Sequence, residues 1–208
     1  MNKNDFLKQI AEKAYDVGFG AKKHFATLDI VDKVPGLIGF ISLVIGVLAL
    51  YIDSLSNKDI SAILIVSSII AMYISFYNSD KNTYEEKGIV LTKILNELKS
   101  FYYQVKADGY EVLETDIAKL EEIESRYYDN AISKQILFSG WYAHYKFFWE
   151  MQIDWIDEQK QFKFWRDKLP LSLIVSFSFS LIVLLGYLFG ECIAKTNIIK
   201  GLIQWMTC

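Results

Sequence analysis

The sequence predicts an all-α integral membrane protein, and three observations support this fold class. First, the chain of 208 residues is 52% hydrophobic and 23% charged, and these two kinds of residue are segregated along it. Second, three blocks without a formal charge are each close to the ~20 residues that a helix needs to cross a bilayer. Third, both prolines, Pro35 and Pro170, lie at the beginning of an apolar block. A proline there falls in the first helical turn, where its missing N–H is not needed.

Residues 1–33 are predicted to form an amphipathic helix on the cytoplasmic side of the membrane. This stretch is polar and rich in lysine, and the first apolar run begins only at Val34. A secretory signal peptide would place an apolar segment within the first residues, so none is expected.

Residues 34–78 are predicted to form a transmembrane helical hairpin. Its two charge-free spans, residues 34–52 and 60–78, are separated by a polar loop long enough to reverse the chain. Each span is about 19 residues long, which matches the thickness of the hydrocarbon core. A buried hairpin in a soluble protein is the alternative, but two charge-free stretches of this length are rare in soluble cores.

Residues 79–168 are predicted to form long cytoplasmic helices. The Asp108-Gly109 pair is a turn signal that should end the first of them. A second amphipathic helix with an acidic outer face follows from Tyr110, and a break is expected near Asp129-Asn130. If the third helix continued into the last apolar block, it would be about 60 residues and roughly 90 Å long.

Aromatic side chains mark this third helix. Packing between helices is the favoured interpretation, because large rings dominate helix-packing energetics. A nucleotide-stacking pocket is one alternative, and docking of a partner protein is another. The residues of this aromatic stripe are Trp141, Tyr145, Phe148, Trp155 and Phe162, and the first four are the candidate docking residues.

Residues 169–190 are predicted to form a third, C-terminal transmembrane helix. Lys163, Trp165 and Arg166 stand before this charge-free block, and such residues are typical of a cytoplasmic membrane interface. A buried helix packed on the hairpin is the alternative. Residues 191–208 form a tail that either lies on the outer face or lies flat at the interface.

The distribution of lysine predicts the orientation of the hairpin. Six lysines precede the first span, one lies in the hairpin loop, and four occur within residues 81–99. Loops rich in Lys and Arg stay in the cytoplasm. We therefore expect a multi-pass protein of the inner membrane with a cytoplasmic N-terminus.

Small residues recur at helical spacing in all three spans. Such faces let helices approach closely, and serine hydroxyls can form hydrogen bonds across the contact. Packing within one monomer is one interpretation, and contact between subunits or lining of a pore is the other. The candidate residues are Gly39, Ser42 and Gly46 with Ala49 in the first span, Ser67, Ala71 and Ser75 in the second, and Ser172, Ser176 and Ser180 in the third.

Several classes of function are not supported by the sequence. The net charge of −3 does not suggest a nucleic-acid-binding protein, which needs a clustered basic face. Phosphate-binding loops and nucleophile elbows are missing, so catalytic and cofactor-binding residues are not predicted. His24 and His144 lack a Cys or His partner at ligand spacing, so we expect packing roles rather than metal binding.

The order of these elements resembles the SLATT domain, a two-transmembrane module of bacterial conflict systems. The resemblance covers residues 6 to 165 and depends mainly on architecture: the Lys- and Tyr-containing helix at residues 11–25 leads into a tight hairpin, and long helices follow. It implies a pore-forming effector of antiviral defence, of the CBASS-like, abortive-infection type, with a nucleotide-synthesising or nucleotide-sensing partner. The third span departs from the two-span pattern of that family.

Two functional interpretations therefore stand. The first is a non-enzymatic effector that forms a homo-oligomer in the lipid bilayer and breaches it when a partner or a nucleotide signal rearranges its cytoplasmic helices. A monomer with three short spans cannot enclose an aqueous path, so conduction needs several subunits around an axis. The second is a membrane-anchored interaction module whose cytoplasmic helices recruit a soluble partner.

Overall fold

The computed structural model describes the backbone of residues 2–195 and the side chains of residues 2–188. Every regular element in this described part of the chain is helical. Short turns of 3₁₀ or π helix lie at Asp53–Leu55, Asn78–Asp80 and Phe164–Lys168. The α-helices are α1 (Lys3–Leu48), α2 (Lys58–Ser75), α3 (Lys81–Lys106), α4 (Glu114–Asn130), α5 (Ser139–Phe148), α6 (Asp154–Lys160) and α7 (Leu171–Lys195).

Helix α1 joins two segments that the sequence pattern separates. It has 46 residues and is about 69 Å long at ~1.5 Å per residue. Buried positions recur along α1 from Phe6 to Val31, whereas most positions from Gly36 to Leu48 are exposed. The predicted amphipathic helix therefore continues without a break into the first span.

Pro35 lies inside α1, so the prediction that it falls in a first helical turn is wrong. The helix has already begun at Lys3, and its buried face packs against α3 over several turns. Packing of this extent offsets the ~3 kcal/mol that an interior proline costs a helix.

Helix α3 runs antiparallel to the first half of α1. Near the end of α3, the Phe101 ring lies 5.8 Å from the ring of Phe6. At the other end, Lys81 donates a hydrogen bond of 2.6 Å to Asp32. Since α2 leads directly into α3, the chain returns along α1 as two helices separated by a short turn.

The main core lies between the first half of α1 and helices α3, α4, α5 and α6, which we call the bundle. Large apolar and aromatic side chains fill it, and these dominate its burial energetics. Its buried members include Phe6, Ile10, Val17, Leu91, Leu98, Phe101, Tyr102, Leu120, Ile123, Phe147, Trp155 and Ile156.

The predicted ends of α3 and α4 are confirmed. Helix α3 ends at Lys106, and Gly109 adopts φ +74°, a left-handed conformation that glycine adopts without strain. The Asp116 carboxylate accepts hydrogen bonds from the Leu113 N–H and the Tyr110 hydroxyl, both at 2.9 Å. These bonds fix the beginning of α4, which ends at Asn130.

The aromatic stripe and the third span do not form the continuous helix of about 60 residues that would result if the third helix ran on into the last apolar block. The chain leaves the helix after Phe148 and again after Lys160. Gln161 adopts φ 51°, and the Asp157 carboxylate accepts a hydrogen bond of 2.7 Å from the Phe162 N–H. A side chain therefore takes the place of the backbone acceptor that a continuing helix would supply.

Residues 163–195 of the described chain belong to a second compact unit. Within it, the Pro170 carbonyl accepts hydrogen bonds from Leu173 and Ile174 at 3.0 and 3.2 Å, so α7 begins directly after this proline, as predicted. Helix α7 passes the predicted end of the span at residue 190 and continues to Lys195. The predictions for the tail beyond that point concern residues 196–208, which lie outside the described residues.

Three helices of the described chain are long and apolar enough to cross a membrane, namely α1, α2 and α7. Fewer than a tenth of the residues in the apolar stretches of α1 and α2 are buried, and none of those in residues 171–188 is. Long apolar surfaces that face away from the protein interior are those that lipid solvates.

Candidate functional site: the membrane hairpin and its support

One face of the hairpin is half-buried because α1 and α2 contact each other. Along the second half of α1 these positions recur at spacings of three and four residues, and α2 shows the same pattern. Small residues occur among the half-buried positions of both helices. The half-buried positions are Ile38, Ser42 and Ile45 on α1, Ala49 directly after it, and Ile60, Leu64, Ser67 and Ala71 on α2.

The remaining small residues of the hairpin face outward. Gly39, Gly46 and Ser75 are exposed, and a Cβ atom added at either glycine would meet nothing within 4 Å. The predicted stripes therefore differ in burial: Ser42, Ser67 and Ala71 are half-buried, whereas Gly39, Gly46 and Ser75 are exposed.

Serine hydroxyls of the spans bond to their own helices. The Ser75 hydroxyl donates to the Met72 carbonyl at 2.7 Å, and the Ser180 hydroxyl donates to the Ser176 carbonyl at 2.9 Å. Ser172, Ser176 and Ser180 are all exposed on α7. Such bonds remove the cost of placing a hydroxyl in hydrocarbon, so these serines are compatible with a lipid-facing surface.

Residues 131–138, which we call the coupling segment, connect α4 to α5 without forming a helix. The Ile132 N–H donates a hydrogen bond of 3.1 Å to His24 on α1. The Tyr84 hydroxyl on α3 donates a bond of 2.8 Å to the Lys134 carbonyl, and the Thr27 hydroxyl donates to the side-chain carbonyl of Gln135. Polar bonds thus attach this segment to α1 and to α3.

Apolar packing attaches the same segment to the hairpin. Ile136 is 3% exposed and forms a small cluster with Val31 of α1 and Ile74 of α2. This cluster is separate from the main core of the bundle. The coupling segment therefore contacts both helices of the hairpin at the end that adjoins the bundle.

His24 is held as a neutral imidazole in this arrangement. It is buried, and its Nδ1 atom lies 2.7 Å from the Gly20 carbonyl oxygen. Because Nε2 accepts the bond from Ile132, the proton belongs on Nδ1. Burial lowers the pKa of His24, and the bond to Gly20 opposes this only in part. The predicted packing role therefore includes a specific hydrogen-bonding role.

The profile of one protein family, SLATT_6, described as SMODS and SLOG-associating 2TM effector domain 6, matches residues 1–177. The chain belongs to this family. The resemblance drawn from the order of elements is therefore confirmed, and the match extends from the N-terminal helix into α7. SLATT domains are two-transmembrane effector domains associated with antiviral conflict systems. Neither a curated protein nor a solved structure shows a significant match to the chain.

In this SLATT domain the membrane half of α1 and the whole of α2 lie within the matched residues. Helix α7 begins inside the match, which ends at residue 177. The chain therefore carries a third helix of membrane-spanning length in addition to the two spans in the family description.

A group of charges surrounds the end of the hairpin that adjoins the bundle. Asp29 accepts hydrogen bonds from Lys33 at 2.5 Å and contacts the Lys146 ammonium at 2.7 Å. Burial alone would raise the pKa of Asp29, but these two lysines outweigh it and hold the pKa below its usual value. Asp32, three residues after Asp29 on α1, pairs with Lys81 of α3. These pairs join α1 to α3 and α5.

The candidate docking residues have different environments in the SLATT domain. Trp155 is 5% exposed in the main core, where its ring lies 5.2 Å from Tyr102. Phe148 is half-buried against the same core, and Trp141 is half-buried. Tyr145 is 53% exposed. Trp155 therefore has the buried position that the packing interpretation expects. Of the four candidate docking residues, only Tyr145 is exposed.

His144 has a packing environment as expected. Its ring lies 4.9 Å from Phe19 and 5.6 Å from Phe148, and burial lowers its pKa. Among the described residues, His, Cys, Asp and Glu side chains do not gather into a group of three that could hold a metal ion.

Sequence reasoning missed the coupling segment. The signal available was weak: a short interval between two helical patterns, with no proline or glycine in it. Its importance follows from contacts with residues that are more than 100 positions away, such as His24 and Thr27, and no periodicity in the sequence encodes such contacts.

Proposed function

We propose that this SLATT protein is the membrane effector of a bacterial antiviral system. It lies in the inner membrane with its N-terminus and bundle in the cytoplasm, forms homo-oligomers, and permeabilises the bilayer when a signal or partner rearranges the bundle. One observation carries the proposal: α1 is a single helix that belongs both to the bundle core and to the first span.

A continuous helix provides a mechanical connection between the two regions. A rotation or shift of the first half of α1 moves the span, because an α-helix without a break transmits such motion along its axis. Helix α2 is attached less rigidly, since the turn at Asn78–Asp80 separates it from α3. Rearrangement of the bundle would thus change the packing of α1 against α2.

The outward small-residue face of α1 supports assembly. Gly39 and Gly46 are exposed with open space around them, and such positions allow the close backbone approach that holds transmembrane helices together. Conduction then needs several subunits around an axis, because few short helices cannot surround a column of water.

A cytoplasmic partner supplies the trigger in this proposal. The family description names an association with SMODS and SLOG, so we infer a nucleotide-synthesising or nucleotide-sensing protein. The exposed Tyr145 and Trp149 on one side of α5 and the acidic outer face of α4 are surfaces that such a partner would contact.

The test is inducible expression in bacteria with a fluorescent reporter of membrane potential. Wild-type protein is expected to depolarise cells and to stop growth at expression levels where cross-linked oligomers are detected in membranes. The double variant Gly39→Leu/Gly46→Leu should reach the membrane in equal amount but lose both effects. Gly186→Leu is the matched control, since Gly186 on α7 also has open space around it.

Intact potential and growth in cells that contain wild-type oligomers under activating conditions, with the signal or partner present, would refute the pore. The outcome would instead favour a membrane-anchored interaction module, for which the exposed aromatic side chains of α5 are the supporting observation. Ser75→Leu helps to separate the two functions, because Ser75 is exposed and the substitution leaves the contact between α1 and α2 intact. A simple anchor tolerates this change.

A further inference from the structure

We propose that the acyl chain of a phospholipid occupies an apolar pocket between the coupling segment and the hairpin. The pocket has a volume of about 420 Å³. This volume lies within the ~300–1,000 Å³ of ordinary ligand pockets. Three structural elements line it: Ile30 and Val34 of α1, Ile70, Tyr73 and Ile74 of α2, and Ile136, Leu137 and Phe138 of the coupling segment.

The lining of the pocket excludes water as its stable occupant. Seven of the eight lining residues are aliphatic or phenylalanine, and Tyr73 is the remaining one. A water molecule needs two to four polar partners, and an apolar cavity without them stays dry. An occupant that fills this space must therefore be apolar.

The position of the pocket favours lipid as that occupant. The α2 side of the pocket lies in the last turns of a membrane-spanning helix, where Ile70 is 47% exposed and Tyr73 is 39% exposed. These side chains continue the apolar outer surface of the span, so the pocket opens onto the same phase that surrounds the hairpin. In a bilayer the molecules present there at high concentration are phospholipids.

The coupling segment completes the pocket through an unusual backbone conformation. Phe138 adopts φ 66°, in the left-handed region that side chains other than glycine rarely occupy. The Leu137 and Phe138 side chains are 62% and 54% exposed. Two exposed apolar side chains next to a span are stable where lipid covers them, which agrees with an acyl chain at this place.

Lipid binding would stabilise the contact between the coupling segment and the hairpin. Ile136 is the only member of the segment that packs fully against Val31 and Ile74 among the described residues. An acyl chain adds apolar contact between the same three elements. The inference depends on membrane insertion of the hairpin but not on pore formation, so the two proposals can fail independently.

The experiment uses full-length protein in nanodiscs that contain a phospholipid with a photoactivatable diazirine at the end of one acyl chain. The ends of bulk acyl chains lie near the bilayer midplane, about 12 Å along α2 from Ile74 at ~1.5 Å per residue. A chain held in the pocket instead labels Tyr73, Leu137 and Phe138, and peptide mass spectrometry locates the labelled residues.

Two substitutions form a matched pair. Ile70→Trp fills the pocket from α2, and label at Leu137 and Phe138 is expected to fall about tenfold, which corresponds to ~1.4 kcal/mol of lost binding. Ile63→Trp is the control, because Ile63 lies on the same helix, is 61% exposed, and does not line the pocket. It should leave the labelling at wild-type level.

Wild-type labelling alone already decides the question if a variant does not fold. Label restricted to the middle of the spans, with none in residues 136–138, would overturn the proposal. A photoactivatable amino acid at position 70 provides a second measurement: cross-links to lipid support the acyl chain, whereas cross-links to protein assign the pocket to another helix.

Discussion

Replacing Ile136 with alanine should release the coupling segment while the bundle stays folded. Ile136 is 3% exposed and belongs to the small cluster with Val31 and Ile74, not to the main core. Truncation of a buried isoleucine to alanine costs about 2–5 kcal/mol, depending on how well the site can relax. Since the apolar pocket borders Ile136, the neighbouring side chains have room to adjust. We therefore expect a value of about 2 kcal/mol.

Hydrogen–deuterium exchange of the protein in nanodiscs measures this effect. The Ile132 amide is protected by its bond to His24, and the Ser139 amide is protected by its bond to the Ile136 carbonyl. A loss of ~2 kcal/mol raises the open population of the segment about thirtyfold. Peptides that cover residues 131–139 should exchange correspondingly faster, whereas peptides of α3 keep wild-type protection.

Ile156→Ala is the matched control, since Ile156 is fully buried in the main core. Its truncation should accelerate exchange throughout the bundle. The reasoning fails if Ile136→Ala gives the same global pattern, because the small cluster would then not be a separate unit. Unchanged exchange in residues 131–139 would equally refute the role of Ile136 in attaching the segment.

Three further predictions follow from individual contacts. Burial lowers the pKa of His24, so the unfolded chain binds a proton first as pH falls. The free energy of unfolding should therefore decrease below about pH 6.5, and less so in His24→Gln, in pH-dependent denaturation. Gly18→Val should destabilise the bundle by about 1–3 kcal/mol, measured by thermal unfolding, because a Cβ atom at Gly18 would lie 2.9 Å from the Phe147 ring. Asn57→Ala should lower the free energy of unfolding by about 1 kcal/mol and speed amide exchange at Ile60. The Asn57 side chain accepts a hydrogen bond of 2.8 Å from the Ile60 N–H.

The sequence predicts the local features of the fold well. The hairpin loop, the end of α3 at the Asp108-Gly109 turn and the beginning of α7 after Pro170 all occur where the residues suggest. Each depends on the chemistry of a few neighbouring residues: a polar stretch between apolar blocks, a glycine with positive φ, or a proline that leads into a helix. Local signals of this kind are independent of the rest of the chain.

The continuity of helices was harder to predict from the sequence. Pro35 suggests a boundary, yet α1 passes through it because packing against α3 stabilises the helix before the proline. The aromatic stripe suggests one long helix, yet the chain breaks twice and Asp157 bonds to the Phe162 amide at the second break. Packing against another helix thus decides the outcome at Pro35, whereas a bond to a side chain of α6 accompanies the break before Phe162.

The candidate site shows the same division. The small residues of the spans were identifiable from spacing, but spacing alone gives two or three equivalent faces and does not say which one meets α2. In the structure Ser42 and Ser67 are half-buried, whereas Gly39 and Gly46 are exposed with open space around them. Likewise, the sequence shows that Trp155 and Tyr145 are aromatic, and only packing buries the first and exposes the second.

By itself the sequence determined that this chain is helical and carries three stretches long enough to span a membrane, because charge-free length is a property of contiguous residues and lipid responds to it directly. The order of its elements indicated the SLATT family, whose profile matches residues 1–177. Only the tertiary structure decided how the membrane part is attached to the bundle. The bond between His24 and Ile132 and the contact of Ile136 with Val31 and Ile74 join residues that are distant along the chain. Such pairs form only when the helices have packed, so no local pattern specifies them.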